Sequence, residues 1–95
     1  MVFNFEQVHN YYERLVFEQV AGLADSYPHY SADMLVDVAC VALNRLPARY
    51  VRHDVDLMFY LTEQERQGIE KSLDEAIAFA FAFVGARMAK RALPA

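Results

Sequence analysis

The sequence predicts an all-α fold of three main helices, joined by one irregular, arginine-rich connection and assembled as a helical homodimer. Apolar residues recur at helical spacing over three stretches, and Pro28 and Pro47 separate these stretches. Hydrophobic types make up 56% of the 95 residues, including seven Phe and six Tyr, which is more than one small chain can bury. We therefore expect a single domain, residues 1–95, whose surplus apolar surface lies in a dimer interface.

The first helix is expected from about Asn4 to Ala24. Its apolar residues recur three and four positions apart and form one stripe: Val8, Tyr12, Leu15, Val16, Val20 and Leu23. The loop "DSYPHYSAD", from Asp25 to Asp33, follows because Pro28 disfavours helical geometry in the residue before it.

The second helix runs through "MLVDVACVALNRL" to about Leu46, where Pro47 ends it. Ser31 or Asp33 can cap its first amides. The helix is apolar on nearly every face and so needs cover from all sides, which we expect a second subunit to complete. Cys40, in its middle, is expected to be a buried and unreactive thiol.

The connection from residue 48 to residue 61 is expected to be irregular, with a short helical turn. Thr62 and Glu65 then form a capping box at the start of the third helix. The helix would extend about 45 Å, against a diameter of about 32 Å for a compact domain of this length. No proline appears before Pro94, so either Gly85 interrupts the helix or the helix extends along a partner.

The core face of this helix is predicted from positions three, four and seven apart. The predicted face consists of Ile69, Leu73, Ala76, Ile77, Ala80, Val84 and Met88. Phe79, Phe81 and Phe83 point in different directions, because successive residues turn by about 100°. We interpret these three rings as core, with dimer core included.

Several classes of function are disfavoured by the sequence. The net charge of −4 argues against binding to nucleic acid polymers or anionic membranes, and the apolar run from Ala76 to Ala86 is too short to span a bilayer. The amino terminus lacks the pattern of a signal peptide, and the one cysteine cannot form an internal disulfide. We expect a cytosolic protein with no cofactor.

Residues suited to catalysis have no supporting context. The hydroxyl side chains lie in loops or at helix starts away from any glycine-rich turn, and the three glycines are isolated. The sequence is therefore not expected to be an enzyme.

The segment "HDVD", residues 53–56, carries a weak metal signal through one imidazole and two carboxylates. The alternative interpretation is a solvated turn in which Asp54 pairs with Arg52 or Arg49. We expect no metal.

Positive charge is concentrated directly after the second helix, although the chain as a whole is acidic. The candidate ligand-binding residues are Arg45, Arg49, Tyr50, Arg52 and His53. Guanidinium groups bind phosphate through paired hydrogen bonds and stack on base rings, as tyrosine does, which suits a small nucleotide. The same arginines could pair between subunits with Glu13, Glu18 or Asp37, and Arg45 also complements the end of the helix dipole. Side-chain chemistry alone favours structural pairing over a ligand site.

Two blocks of the sequence resemble the ComFB (late competence development) family. The first is "NYYERLV", Asn10 to Val16, with Asn, Glu and Leu-Val at the matching positions. The second is "DVACVALNRLPARYV", Asp37 to Val51, which contains the signature Ala-Leu-Asn-x-Leu-Pro-x-x-Tyr-Val. The blocks match in order and spacing, and the resemblance covers roughly the first two thirds of the chain.

The resemblance implies an all-helical homodimer that binds a cyclic dinucleotide, most often cyclic di-GMP, and passes the signal to a downstream protein without catalysis. By motif, the binding residues are Arg45, Arg49 and Tyr50, with Arg52 and His53 as neighbours. The alternative is a structural or adaptor homodimer whose arginines bind only a protein partner.

The sequence departs from the family at two places. Ala48 stands where the family often has a second proline, and the loop "DSYPHYSAD" lacks the cysteines with which some relatives hold zinc.

Overall fold

The computed structural model describes residues 1–92, and this range folds mainly into α-helices, as predicted. The elements in chain order are a 3₁₀-helix at Phe5–Gln7, β1 at His9–Asn10, α1 at Tyr12–Leu23, a 3₁₀-helix at Ala24–Ser26, α2 at Ala32–Arg45, β2 at Tyr50–Val51, α3 at Asp54–Tyr60 and α4 at Glu63–Ala92. Within this range no helix combines the length and the apolar character needed to cross a bilayer. Pro94, before which no proline interrupts the predicted third helix, lies outside the described residues.

The core forms where α2 packs against α1 on one side and α4 on the other. Val16 of α1, Val38 and Ala42 of α2, and Ala80 of α4 are completely buried. The two alanines at the α2–α4 contact allow the helix backbones to approach closely, since neither carries a bulky side chain. The tight contact fixes the position of the carboxyl end of α2, from which the arginine-rich segment begins.

The first helix begins at Tyr12 and not near Asn4, so the predicted start is wrong. Residues 9 and 10 instead form β1, which pairs antiparallel with β2 through His9 with Val51 and Asn10 with Tyr50. The pairing draws this part of the chain out of the helix, because backbone groups bonded across a sheet are not available to a helical turn. Val8 consequently lies half exposed before the strand and does not join the core as predicted.

The second helix agrees closely with its prediction. The Ser31 hydroxyl oxygen accepts a hydrogen bond from the Met34 amide at 3.1 Å, which confirms Ser31 as the cap. The helix ends at Arg45, and Leu46 is extended before Pro47. The connection that follows is more ordered than expected, because it contains both β2 and the seven-residue α3.

One half of the capping box of α4 is confirmed, since the Glu65 amide donates to the Thr62 hydroxyl oxygen at 3.1 Å. The Glu65 carboxylate accepts from the Thr62 hydroxyl at 3.2 Å and not from a backbone amide. The helix then continues for 30 residues without a break at Gly85, so the first of the two predicted alternatives is wrong. Gly85 has another role. A Cβ at this position would meet the Tyr30 hydroxyl, which donates to the Phe81 carbonyl oxygen at 2.6 Å.

The buried face of α4 includes five of the predicted residues, namely Leu73, Ala76, Ile77, Ala80 and Val84. Ile69 is partly buried against the same core. Met88 is 38% exposed, so its assignment to the core is wrong, because it lies beyond the part of α4 that the core covers. Phe81 is nearly fully buried and stacks on Tyr27 at 4.1 Å between ring centres.

One apolar face of the molecule is uncovered. It forms a groove of about 760 Å³ between α1 and α2, here called the α1–α2 groove. Its principal side chains are Phe17, Ala21, Leu35, Val36, Ala39 and Leu43, and no charged residue lines it. Val36 is 68% and Phe17 52% exposed, so α2 does have the uncovered side that its sequence predicted.

Cys40 also lies at this groove and is exposed, which corrects its predicted burial. Cys40 and Val36 are four residues apart and share one side of α2, which neither α1 nor α4 covers.

Candidate functional site

The predicted site residues follow one another along the surface between α2 and α3. We call this segment, Arg45 to His53, the arginine turn. Arg45 lies in the last turn of α2, Tyr50 lies in β2, and Arg52 and His53 form the bend before α3. The side chains of all five predicted site residues are exposed. The turn thus presents its polar groups to solvent.

The backbone of the arginine turn is held by the amino-terminal part of the chain. The Arg49 amide donates to the side-chain oxygen of Asn10 at 3.1 Å, and the Arg49 carbonyl oxygen accepts from the Tyr11 amide at 2.7 Å. Asn10 is buried, and its side-chain oxygen also accepts from the Tyr12 amide at 3.3 Å. One side chain therefore joins the start of α1 to the arginine turn, so the turn has a defined position before any ligand binds.

Arg49 is also coupled electrostatically to Tyr12. Burial raises the pKa of the Tyr12 hydroxyl, because the charged phenolate would lose solvation, whereas the positive charge of Arg49 acts in the opposite direction. Tyr12 is 5% exposed and belongs to the core. Arg49 therefore lies close enough to the edge of the core for its charge to act on a buried group.

Arg45 makes a specific contact with α4. Its guanidinium carbon lies 3.9 Å from the ring centre of Phe79, in the geometry of a cation–π interaction. Phe79 is 38% exposed, so it lies outside the core of the single chain, and its place in a dimer core stays a prediction. The helical pattern alone could not reveal the contact between Arg45 and Phe79, because the two residues lie on helices that are far apart in the sequence.

The three guanidinium groups of the arginine turn have no acidic partner within the described range. No carboxylate oxygen of residues 1–92 lies within 4.0 Å of Arg45, Arg49 or Arg52. Asp54, which the sequence analysis paired with Arg52 or Arg49 as the alternative to a metal, instead contacts His9 at 2.6 Å and the Nε of Arg14 at 3.7 Å. That alternative pairing is wrong, because the β1–β2 pairing places His9 beside Asp54 at the start of α3, and neither Arg49 nor Arg52 lies within 4.0 Å of this carboxylate.

The pair of His9 and Asp54 was missed by the sequence analysis, because the two residues lie 45 positions apart. The His9 Nε2 is 2.6 Å from Asp54, and its Nδ1 is 2.9 Å from the carbonyl oxygen of Gln7. Both neighbours accept hydrogen bonds, so only the doubly protonated imidazolium can donate to both. The Gln7 carbonyl, and next the Asp54 carboxylate, therefore raise the pKa of His9 above 6.5.

The described residues do not form a metal site of ordinary composition. No group of three or more His, Cys, Asp or Glu residues within 1–92 is arranged to hold an ion. The loop from Asp25 to Asp33 contains no cysteine, so it lacks the thiolates that the zinc site implied by the resemblance would need.

Comparison with models of protein families gives a match over residues 9–88 to the family described as late competence development protein ComFB. The chain belongs to the ComFB family. The matched range of this ComFB protein includes both resembling blocks, the whole arginine turn and most of α4. No curated protein and no solved structure matches the chain.

The fold brings the two sequence blocks of this ComFB protein into contact. The Asn10 side-chain oxygen, from the first block, accepts from the amide of Arg49, in the second, and Asn10 also pairs with Tyr50 of the second block across β1 and β2. The motif residues therefore build one unit at the arginine turn, although 20 residues separate the blocks in the sequence.

Proposed function

We propose that this ComFB protein is a non-catalytic, cytosolic receptor for a cyclic dinucleotide, with cyclic di-GMP as the first candidate, and that it signals through a downstream protein. The observation that carries the proposal is the set of three exposed guanidinium groups without a carboxylate partner on a firmly held backbone. Unpaired arginines on an anchored turn are suited to bind an anion from solution.

The chemistry of the arginine turn matches such a ligand. A cyclic dinucleotide has two phosphates and two purine rings, and arginine can both bind phosphate and stack on a ring. Tyr50 is 69% exposed and offers a further ring for stacking. Because the chain carries a net charge of −4, the local positive charge favours a small dianion over a long polyanion.

The receptor is proposed to be a homodimer that associates through the α1–α2 groove. In a two-fold dimer the same patch meets itself, so a wholly apolar patch such as this groove is self-complementary. Phe17 and Val36 would lose most of their exposure in such an interface. Burial of these side chains removes apolar area from water and favours association.

Calorimetry with cyclic di-GMP and cyclic di-AMP tests the receptor proposal. We expect the wild-type chain to release heat and to melt at a higher temperature with at least one nucleotide, because a ligand that binds only the folded state stabilises it. Arg49→Ala should weaken binding by about tenfold or more, since a charged hydrogen-bond donor is lost.

Lys71→Ala is the matched control, because it removes one positive charge from an exposed position in the first half of α4. Its affinity for the nucleotide should equal that of the wild type. Absence of heat and of any melting shift with both nucleotides, at concentrations well above micromolar, would contradict the receptor proposal.

The second candidate is an adaptor that binds only proteins, and the surface of α3 favours it. Val55, Phe59 and Tyr60 are 63%, 82% and 82% exposed on this short helix. Exposed aromatic side chains are enriched in protein interfaces. Under this alternative neither nucleotide binds, and the arginine turn contacts acidic groups of the partner.

A further inference from the structure

A second cleft lies between α2 and the carboxyl-terminal part of α4, and the predicted site did not include it. We call it the α2–α4 cleft; its volume is about 350 Å³. The side chains relevant to ligand chemistry are Asp37 and Cys40 from α2 and Phe83, Arg87 and Arg91 from α4. The cleft therefore combines two cations, one carboxylate and an aromatic ring, in contrast to the wholly apolar α1–α2 groove.

The charged groups of the cleft are not paired with each other. Asp37 is not within 4.0 Å of either guanidinium group, and no other carboxylate of residues 1–92 is. The guanidinium carbon of Arg87 lies 5.8 Å from the ring centre of Phe83, a loose contact that leaves its hydrogen-bond donors free. Phe83 is 39% exposed. Two arginines can thus receive an anion while the ring accepts a planar group.

A row of side chains on α4 leads from the cleft to Arg45, the first residue of the arginine turn. Phe79, Phe83, Arg87 and Arg91 are each four residues apart and so lie along one side of the helix. The rings of Phe79 and Phe83 stack with centres 5.7 Å apart, and Arg45 covers the other end of the row on Phe79. On α2, Asp37 and Arg45 are eight residues apart, or about 12 Å.

We infer that the α2–α4 cleft binds a guanine nucleotide moiety. The base would lie against Phe83, the phosphate would bind Arg87 and Arg91, and Asp37 would accept from the base. The inference rests on the proposed receptor function, because it assigns to the cleft one purine and phosphate of the same dinucleotide whose remainder binds the arginine turn.

Asp37 makes the cleft selective for guanine. An ionised carboxylate only accepts hydrogen bonds, and guanine offers it two adjacent donors, N1–H and the N2 amino group. Adenine offers the N6 amino group next to N1, which is an acceptor and would face the carboxylate without a hydrogen bond between them. A site built to hydrogen-bond a ligand group discriminates strongly against an analogue that lacks it.

The test measures the dissociation constants of cyclic di-GMP and cyclic di-AMP for the full chain and two variants. Arg87→Ala should weaken binding of cyclic di-GMP by about tenfold or more. Lys90→Ala is the matched control, since it removes a charge from the same end of α4 without lining the cleft, and it should bind as the wild type does. Circular dichroism and melting without ligand establish that each variant is folded.

Asp37→Ala tests the recognition of the base. The ratio of the two dissociation constants should move toward one in this variant, because Asp37 is assigned to one of the two bases. Damage to the fold would weaken the binding of both nucleotides equally and leave the ratio unchanged. An unchanged ratio would overturn the role of Asp37.

The results separate failure of the inference from failure of the receptor proposal. If the wild type binds neither nucleotide, the receptor proposal and the inference about the α2–α4 cleft are both refuted. If Arg49→Ala abolishes binding but Arg87→Ala binds cyclic di-GMP as the wild type does, the receptor proposal stands and the cleft is excluded from the site.

Discussion

At the residue scale, Gly85 shows how one missing side chain permits a contact between distant parts of the fold. A Cβ there would meet the hydroxyl of Tyr30, whose ring also packs against Tyr27 and Phe81. Alanine is about 1 kcal/mol more favourable than glycine within a helix, but overpacking typically costs about 1–3 kcal/mol. The clash should dominate, because the hydrogen bond to Phe81 holds Tyr30 in place.

We therefore expect Gly85→Ala to lower the free energy of unfolding by about 1 kcal/mol, measured by urea denaturation at a fixed protein concentration. Gly68→Ala is the control, since nothing lies within 4 Å of a Cβ at Gly68 in the same helix, and it should raise the free energy of unfolding by about 0.5–1 kcal/mol. In a Tyr30→Phe background, Gly85→Ala should lower the free energy of unfolding by a smaller amount. Equal losses in both backgrounds would rule out the hydroxyl as the cause.

His9 makes the stability of the chain depend on pH. The folded state raises the pKa of His9, through the Gln7 carbonyl and the Asp54 carboxylate, so it binds the proton more tightly than the unfolded chain does. This contribution to stability is complete below a pH of about 6.5 and is lost as the pH rises through the raised pKa. The negative charge of Glu13 also raises the pKa of His9. Arg14 lies near the other oxygen of the Asp54 carboxylate, at 3.7 Å.

Nuclear magnetic resonance titration of the His9 ring should report this raised pKa directly. Asp54→Asn should lower the pKa of His9 and reduce the loss of stability on going from about pH 6 to pH 8. Asp56→Asn is the control, because Asp56 lies in the same first turn of α3 but makes no ion pair with His9. A His9 pKa that is the same in wild type and Asp54→Asn would refute the pairing.

At the scale of elements, the sequence predicted those parts that depend on local signals. The Ser31 cap, the Pro47 stop and the Thr62 capping box each act within a few residues, and all three lie where they were predicted. These signals need no knowledge of the rest of the fold, because they satisfy backbone groups of the same helix end.

The elements that sequence analysis missed depend on partners distant in the chain. The strands β1 and β2 are two residues each and about 40 positions apart, so neither has a periodic pattern of its own. The same explanation holds for the candidate site. The arginine turn could be recognised from composition and motif, but the contacts of Arg45 with Phe79 and of His9 with Asp54 required the assembled helices.

At the scale of the whole molecule, the single chain is more extended than its length predicts. Its radius of gyration is 16.0 Å, whereas a compact domain of 95 residues has about 12 Å. The long α4 accounts for part of this, since its 30 residues extend about 45 Å. An extended chain with an open apolar groove is the shape expected of one half of a dimer.

Light scattering at micromolar concentration should therefore give twice the chain mass of 10.9 kDa. Phe17→Glu should give the single-chain mass, because it places a charge in the α1–α2 groove, where burial without a partner is unfavourable. Val55→Glu is the control, since Val55 is similarly exposed but lies on α3, outside the groove, and it should leave the dimer intact. A wild-type mass of one chain would refute the dimer.

The side-chain oxygen of Asn10 has a consequence for how a signal could leave the site. It is one atom that accepts from both the Tyr12 amide, at the first residue of α1, and the Arg49 amide, within the arginine turn. A displacement of the turn would therefore act on the start of the helix whose other residues, such as Phe17, line the groove. Because this single oxygen is shared by the two segments, binding at the arginine turn can change the alignment of α1 and of the α1–α2 groove.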